Sequence, residues 1–192
     1  CLTSVQMYEA LEVLNAELES DGLLPINIGV GINSGAVVVG NMGSDQRFDY
    51  SVLGDAVNLA ARLEGQTKGY GVKTIIGEET AKEIDDVFAT LEIDNIAVKG
   101  KTEGVRIFTV LGEHKWWNEN SAYVPETKQH DTMLELYRMQ KFDVAIKWCN
   151  DLKGAFLGTM DDYYEIWIAR CEEMKTQNLP KDWDGVYRPT TK

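Results

Sequence analysis

Two side chains with complementary binding chemistry, Asn58 and Arg62, stand four residues apart in the segment DAVNLAARLE, residues 55–64. In a helix this spacing places them on one face, about one turn apart. An Asn amide can hold a sugar hydroxyl or ring oxygen, and an Arg guanidinium grips phosphate through a planar fork of donors that never loses its charge. The pair suits a sugar-phosphate ligand, although an ordinary solvated helix face would also carry these two residues.

The residues around the pair predict a strand that turns sharply into a helix. Residues 48–53 form a short aromatic and β-branched run, typical of a buried strand. Gly54 then breaks the run, and Asp55 stands where a helix N-cap is expected. The predicted apolar face of the helix has spacings of three and four, at Ala56, Leu59, Ala60 and Leu63. Asp55, Asn58 and Arg62 fall together on the other side.

The rest of residues 1–112 alternates between helix and strand patterns. Further helices are predicted at 2–18 and 78–84, and further strands at 26–33, 36–40, 72–76, 88–98 and 105–111. The strands at 26–33 and 36–40 are expected to form a hairpin around Ser34-Gly35, and residues 65–71 a loop. The glycines of that hairpin suit turn punctuation, which the residues alone favour, or close approach of the backbone to a ligand. The alternation predicts a mixed sandwich of helices and strands.

The composition changes after residue 112. Residues 113–127 contain Trp116, Trp117, several Asn and Pro125, and we interpret this stretch as a linker. From residue 128 a helical pattern returns and predicts three helices. Their predicted buried residues are Tyr137, Phe142, Ala145, Tyr164 and Trp167. This spacing resembles a tetratricopeptide-type helical pair with one further helix, a unit that cannot bury its face alone and is expected to lean on the preceding domain or on a protein partner.

Charge and cysteine content exclude several classes of protein. The net charge of −12 argues against a general nucleic-acid binder, but a local basic site for a nucleotide remains compatible with it. The sequence shows no signal peptide and no apolar run of about 18 residues. Three widely spaced cysteines, Cys1, Cys149 and Cys171, indicate a reducing, cytoplasmic environment rather than a disulfide framework. Because the chain begins with Cys rather than Met, we expect it to be a fragment of a longer protein.

Three motifs carry a resemblance to a known family. Residues 50–64, YSVLGDAVNLAARLE, resemble the signature of the class III nucleotidyl cyclases, the catalytic domain of adenylate and guanylate cyclases. Residues 29–43, GVGINSGAVVVGNMG, resemble the hairpin that precedes this signature, and residues 98–104, VKGKTEG, resemble the closing hairpin. The resemblance implies an α+β fold: part of a ferredoxin-like cyclase sandwich over residues 1–112, followed by a small all-α module over residues 128–192.

The resemblance also implies a reaction and the residues that serve it. Adenylate cyclases convert ATP to 3′,5′-cyclic AMP and pyrophosphate, by attack of the ribose 3′-hydroxyl on the α-phosphate. Asn58 matches the family residue that orients the ribose, and Arg62 the residue that stabilises the charged pentavalent phosphate. Lys101, with Lys99 as the alternative, matches a lysine that contacts the triphosphate. Ser51 falls at the base-reading position, where a hydroxyl accepts from the adenine amino group and favours ATP over GTP.

Two Mg²⁺ or Mn²⁺ ions are implied as well. In the family, two aspartates hold them, and those aspartates precede the position of Cys1. Asp45, Asp49 and Asp55 do not match the metal positions, so no metal ligand is assigned within this chain. We therefore expect the second half of a catalytic domain, inactive alone and homodimeric in the full protein, with a sensor or membrane anchor ahead of Cys1.

Two other interpretations stay open. A degenerate cyclase-like domain could serve as a non-catalytic regulatory or interaction module that works through its helical part. A guanylate cyclase is the third possibility, which Ser51 disfavours. Retention of Asn58, Arg62 and Lys101 together favours the adenylate cyclase.

Overall fold

The computed structural model describes residues 1–44, 47–97, 104–120 and 123–187. Helices and strands alternate along the first part, and helices follow one another in the last part. In chain order the elements are α1 Leu2–Ser20, β1 Val30–Ile32, β2 Val38–Ser44, β3 Arg47–Leu53, α2 Asp55–Tyr70, β4 Thr74–Gly77, α3 Glu78–Ile84, β5 Phe88–Ile96, β6 Val105–Glu113, α4 His114–Asn120, α5 Tyr123–Arg138, α6 Phe142–Asp151, a 3₁₀ turn Ala155–Gly158 and α7 Asp161–Lys175.

The strands form a mixed sheet and a separate two-stranded ribbon. The sheet has the order β1-β4-β6-β5, in which β1 and β4 run parallel and the other neighbours are antiparallel. The ribbon pairs β2 with β3, from Val38 opposite Leu53 to Ser44 opposite Arg47. A mixed sheet followed by a helical region confirms the predicted α+β class.

The predicted hairpin between the first two strands is wrong. Strand β1 pairs with β4, and β2 pairs with β3 instead. The single glycine of β1, Gly31, faces helix α2: a Cβ on Gly31 would lie 2.2 Å from the carbonyl oxygen of Ala60 and 2.3 Å from the amide nitrogen of Glu64. The role of Gly31 is therefore close contact between a strand backbone and a helix backbone, not turn punctuation.

The predicted loop at residues 65–71 is also wrong, because α2 continues to Tyr70. Its buried residues Leu63, Thr67 and Tyr70 extend the helical stripe at spacings of four and three, so packing outweighs the low helix propensity of glycine. The helix ends at Gly71, which adopts the left-handed conformation with φ 63°. At the other end Gly54 is the N-cap, and Asp55 is the first helical residue.

Residues 113–127, interpreted as a linker, are largely helical. Strand β6 runs to Glu113, α4 follows directly, and α5 begins at Tyr123. Trp117 of α4 is only 2% exposed and belongs to the main core. Its burial explains why the segment is ordered as a helix instead of spanning freely between two domains. The division of the chain into two domains stays a prediction.

Helices α5, α6 and α7 confirm the three predicted helices. All five residues expected inside are buried, namely Tyr137, Phe142, Ala145, Tyr164 and Trp167. These helices share one apolar core with the sheet, because Leu91 and Ile107 belong to the same cluster as Trp167. Within the described residues, no helix combines the length and the apolar composition that crossing a bilayer requires.

Candidate functional site

Asn58 and Arg62 lie on the exposed face of the first two turns of α2. The backbone amide of Asn58 donates to the carbonyl oxygen of Gly54 at 3.2 Å, which fixes the turn between β3 and the helix. Both side chains are exposed, and within the described residues neither makes a hydrogen bond or an ion pair. The structure therefore brings these two predicted site residues together, with the amide and the guanidinium available to a ligand.

The opposite side of α2 is held by strand β1 and the residues that follow it. Gly31 lets β1 approach the helix at Ala60, and the Asn33 side-chain amide donates to the carbonyl oxygen of Ala56 at 3.2 Å. These contacts support the part of the helix that carries Asn58. The sequence analysis did not predict that Asn33 supports α2. The only local indication is that Asn33 follows Gly31, the residue in contact with the helix, by two positions.

Ser51 lies in β3, opposite Gly40 of β2, and its side chain is partly buried. The strand continues into the turn at Gly54, so Ser51 precedes Asn58 by seven residues along a short, ordered connection. Ser51 therefore lies near the start of α2, which is compatible with its predicted contact with the base. That contact stays a prediction.

Lys101 lies outside the described residues, as do Lys99 and Asp45. The strands on either side of the lysines are described: Ile96 at the end of β5 pairs with Val105 at the start of β6. The segment between them therefore connects two paired antiparallel strands.

The described residues do not supply the donor set of a metal site. In the described part of the chain, no group of three or more His, Cys, Asp or Glu side chains is arranged to hold a metal ion. Asp49 and Asp55 are exposed. The residues that the structure describes do not by themselves fit a two-ion site.

The buried carboxylates of the sheet are engaged in ion pairs. Glu92 of β5 pairs with Arg106 and Arg138. Burial tends to raise the pKa of Glu92, but the two guanidinium groups outweigh burial and the pKa is lowered. Asp94, two residues along, lies 2.5 Å from Arg170 Nη1. We assign these acids to structural ion pairs, within the sheet at Arg106 and between the sheet and the helices at Arg138 and Arg170, rather than to acid–base chemistry.

Comparison with known proteins gives a family for the first part of the chain. A family model described as "Adenylate and Guanylate cyclase catalytic domain" matches residues 2–112. An adenylate cyclase of Anabaena cylindrica is 39% identical over 114 residues, which cover 56% of this chain and 23% of that protein. Adenylate cyclase 1 of Rhizobium meliloti (strain 1021) is 30% identical over 122 residues, which cover 64% of this chain and 18% of that protein.

A solved structure is similar over a comparable stretch. The adenylyl cyclase CyaB from P. aeruginosa is 35% identical, with a TM-score of 0.49 over 55% of this chain and 54% of that chain. The chain spans less than a quarter of the length of the two curated relatives, at 23% and 18%. The match of the family model covers more than half of the chain and includes Ser51, Asn58, Arg62 and Lys101.

Proposed function

The chain belongs to the family of adenylate and guanylate cyclase catalytic domains, and on that premise we propose that it supplies the ribose- and phosphate-contacting half of an adenylate cyclase site. The reaction is the conversion of ATP to 3′,5′-cyclic AMP and pyrophosphate. The observation that carries the proposal is the pair Asn58 and Arg62, exposed on one face of α2 and without partners among the described residues.

The reaction requires an oriented ribose and stabilisation of negative charge at the α-phosphate, and this pair can provide both. Attack of the ribose 3′-hydroxyl on the α-phosphate requires the sugar to be held in one orientation, and the Asn58 amide can donate to and accept from sugar oxygens. The phosphate gains negative charge in the transition state, and the Arg62 guanidinium meets that charge with fixed donors. The absence of a competing carboxylate beside Arg62 in the described residues leaves all its donors for the substrate.

Mg²⁺ or Mn²⁺ would supply charge neutralisation of the triphosphate in such a reaction. We propose that its ligands, and the residues that complete the site, come from polypeptide outside this chain. Lys101, in the segment between β5 and β6, is the proposed triphosphate contact, and Ser51 the proposed contact with the adenine amino group.

A homodimer is part of the proposal. The ribbon of β2 and β3 exposes large apolar side chains, with Val38 at 67%, Leu53 at 58% and Tyr50 at 77% exposure. Such a surface is typical of a face that another protein surface covers, and it supports assembly through the cyclase part. We place the catalytic part in the cytoplasm and propose a further protein partner at the helical region.

The test is a cyclase assay with ATP and Mn²⁺ or Mg²⁺. Residues 1–192 alone should release no cyclic AMP, and the same residues joined to the natural upstream sequence should release it. An extended protein that folds and dimerises but makes no cyclic nucleotide would favour the non-catalytic interaction module. Activity from residues 1–192 alone would show that the metal ligands lie within this chain.

Substrate choice separates the adenylate from the guanylate cyclase. In the active protein, Ser51→Cys should lower the ratio of kcat/KM for ATP to kcat/KM for GTP, with a smaller effect on the maximal rate. Tyr50→Phe, at the exposed neighbouring position, is the matched control and should leave the ratio unchanged. If kcat/KM of the wild-type protein is higher for GTP than for ATP, the protein is a guanylate cyclase and not an adenylate cyclase.

A further inference from the structure

Arg170 of α7 is 8% exposed and joins three parts of the fold. Its Nη1 atom lies 2.5 Å from Oδ2 of Asp94 on β5. Its guanidinium carbon lies 5.1 Å from the ring centre of Tyr70 on α2 and 4.4 Å from that of Tyr187 near the C-terminus. A planar guanidinium can pair with a carboxylate through its edge and stack on aromatic rings through its faces, which an ammonium group does less well.

Tyr70 and Arg170 meet at the same carboxylate oxygen. The Tyr70 hydroxyl donates to Oδ2 of Asp94 at 2.6 Å, so α2 and α7 are both bonded to one atom of β5. Asp94 is only 2% exposed, so water cannot readily replace either donor. Burial and the nearby Asp94 raise the pKa of Tyr70, which keeps the hydroxyl protonated and able to donate.

The end of α2 is in direct contact with α7 as well. A Cβ on Gly71, the C-cap of α2, would lie 2.9 Å from Cβ of Asp162 and 3.1 Å from Cδ1 of Ile166. The C-terminal turn of α2 is thus held between β5 and α7. Tyr70 follows Arg62 by eight residues, which is about 12 Å along a helix. A tilt of the helix at Tyr70 therefore displaces Arg62.

We propose that Arg170 is a positioning residue, which acts through Asp94 and Tyr70 to fix the orientation of α2 and hence of Asn58 and Arg62. The inference rests on the proposed function, in which Asn58 and Arg62 contact the substrate. The C-terminal helices then have a role in catalysis without touching ATP: they set the angle of the helix that does.

Amide hydrogen exchange on residues 1–192, without nucleotide or metal, tests the mechanical link. Tyr70→Phe removes the hydroxyl that bonds α2 to Asp94 and leaves the ion pair in place, and Arg170→Met removes the ion pair and the stacking. In both variants, exchange at residues 55–64 should be about tenfold faster than in the wild type, since a lost buried hydrogen bond lowers the opening free energy of the element it holds. Arg170→Lys should restore part of the protection.

Two matched controls cut other bonds between the helices and β5 without touching α2. Tyr163→Phe removes the hydroxyl that donates to the carbonyl oxygen of Ile93 at 2.8 Å, and Arg138→Met removes one partner of Glu92. Exchange at residues 55–64 should stay near wild type in both. If Arg170→Met fails to fold, the comparison of Tyr70→Phe with Tyr163→Phe decides the question. The inference is overturned if exchange at residues 55–64 is unchanged in Tyr70→Phe, or if it is accelerated equally in Tyr70→Phe and Tyr163→Phe.

Kinetics on the active protein test the catalytic consequence. Arg170→Met should lower kcat by about tenfold with KM for ATP within a few-fold, because misplacement of Arg62 weakens contacts made in the transition state. A wild-type kcat for Arg170→Met, beside an impaired Arg62→Ala, overturns the positioning role. A wild-type kcat for Arg62→Ala instead refutes the proposed function, and the exchange experiment still decides the link between α7 and α2.

Discussion

His130 of α5 donates from Nε2 to the backbone carbonyl oxygen of Glu92 on β5, with 2.6 Å between the two atoms. Because a carbonyl oxygen only accepts, Nε2 carries the proton of the neutral ring, and Nδ1 accepts from the Tyr164 hydroxyl at 3.0 Å. The ring is fully buried. A neutral imidazole therefore fastens the helical region to the sheet, and its burial lowers the pKa of His130 from 6.5 to about 4.

The first prediction is that the protein loses stability on mild acidification. Between pH 6.5 and about 4 the unfolded chain binds a proton at His130 and the folded protein does not. Stability therefore rises with pH through this window, and the free energy of unfolding should fall by about 2 kcal/mol from pH 7 to pH 5. Urea denaturation at several pH values measures the change.

The control for this prediction is His130→Gln, which cannot titrate and should flatten the pH dependence between pH 5 and pH 7. The charged groups near the ring are Glu92, Asp131 and Arg138. Because the pKa of Glu92 is lowered, its contribution to the pH dependence of stability falls below pH 5, outside the measured range. An equally steep slope in His130→Gln would assign the acid sensitivity to another group. Asp131 is not that group, because burial raises its pKa and a carboxyl with a raised pKa stabilises the folded protein as the pH falls.

The second prediction concerns the contact between β1 and α2. In Gly31→Ala the new methyl group would meet two backbone atoms of α2, at 2.2 and 2.3 Å, and a backbone cannot rotate away as a side chain can. We expect a loss of about 1–3 kcal/mol or more in the free energy of unfolding. Gly65→Ala is the control: it lies inside the same helix with nothing within 4 Å, and should stabilise by up to about 1 kcal/mol. Two variants of equal stability would mean that β1 and α2 do not touch as described.

Local signals predicted those elements whose boundaries depend on neighbouring residues. Helix α3 begins and ends where the sequence places it, at residues 78–84, because the pattern and the acidic first turn are contained in the helix itself. Strand β3 and its sharp turn into α2 were predicted for the same reason. The partner of β1 was not predicted correctly. The turn-like Ser34-Gly35 suggests a hairpin with the next strand, whereas the pairing of β1 with β4 depends on the fold as a whole.

The candidate site divides in the same way. The shared exposed face of Asn58 and Arg62 follows from helical periodicity alone. The junction of Tyr70, Asp94 and Arg170 does not, because its contacts join residues 24 and 76 positions apart and no local pattern relates them. The residues proposed to contact a ligand can thus be predicted from one segment, whereas the residues that hold that segment in place come from the rest of the chain.

The third prediction concerns Trp167, which is 1% exposed and packs edge-on against Tyr137 with ring centres 4.6 Å apart. The sequence predicts that Trp167 belongs to a small helical module separate from the preceding sandwich. Since sheet and helices share one core, we now expect a single cooperative transition. Trp167→Ala should cost about 3–5 kcal/mol and lower the Tm of the whole protein by about 10 °C.

Calorimetry and near-ultraviolet circular dichroism would check the Trp167 prediction. Trp116→Ala, at a tryptophan that is 48% exposed, is the control and should have a smaller effect. A variant in which the helices melt first and the sheet later would restore the view of two independent units.

The fourth prediction concerns Arg62 in the active protein. Arg62→Ala should lower kcat by about a hundred- to a thousandfold, as the loss of a donor to developing charge typically does. KM for ATP should stay within a few-fold of wild type, because in the ground state other contacts hold the nucleotide and the α-phosphate gains its extra charge only in the transition state. Arg62→Lys should recover part of the rate, since a point charge cannot reproduce the planar fork.

Lys68→Ala is the matched control for Arg62→Ala, because Lys68 is an exposed cation in the last turn of the same helix, more than one turn beyond Arg62. Its kinetics should be those of the wild type. If Arg62 is only part of a solvated surface, its replacement should change stability by less than about 0.5 kcal/mol and leave kcat unaltered. Steady-state kinetics on these variants separates the two cases, since only a guanidinium that meets the phosphate in the transition state lowers kcat while sparing KM.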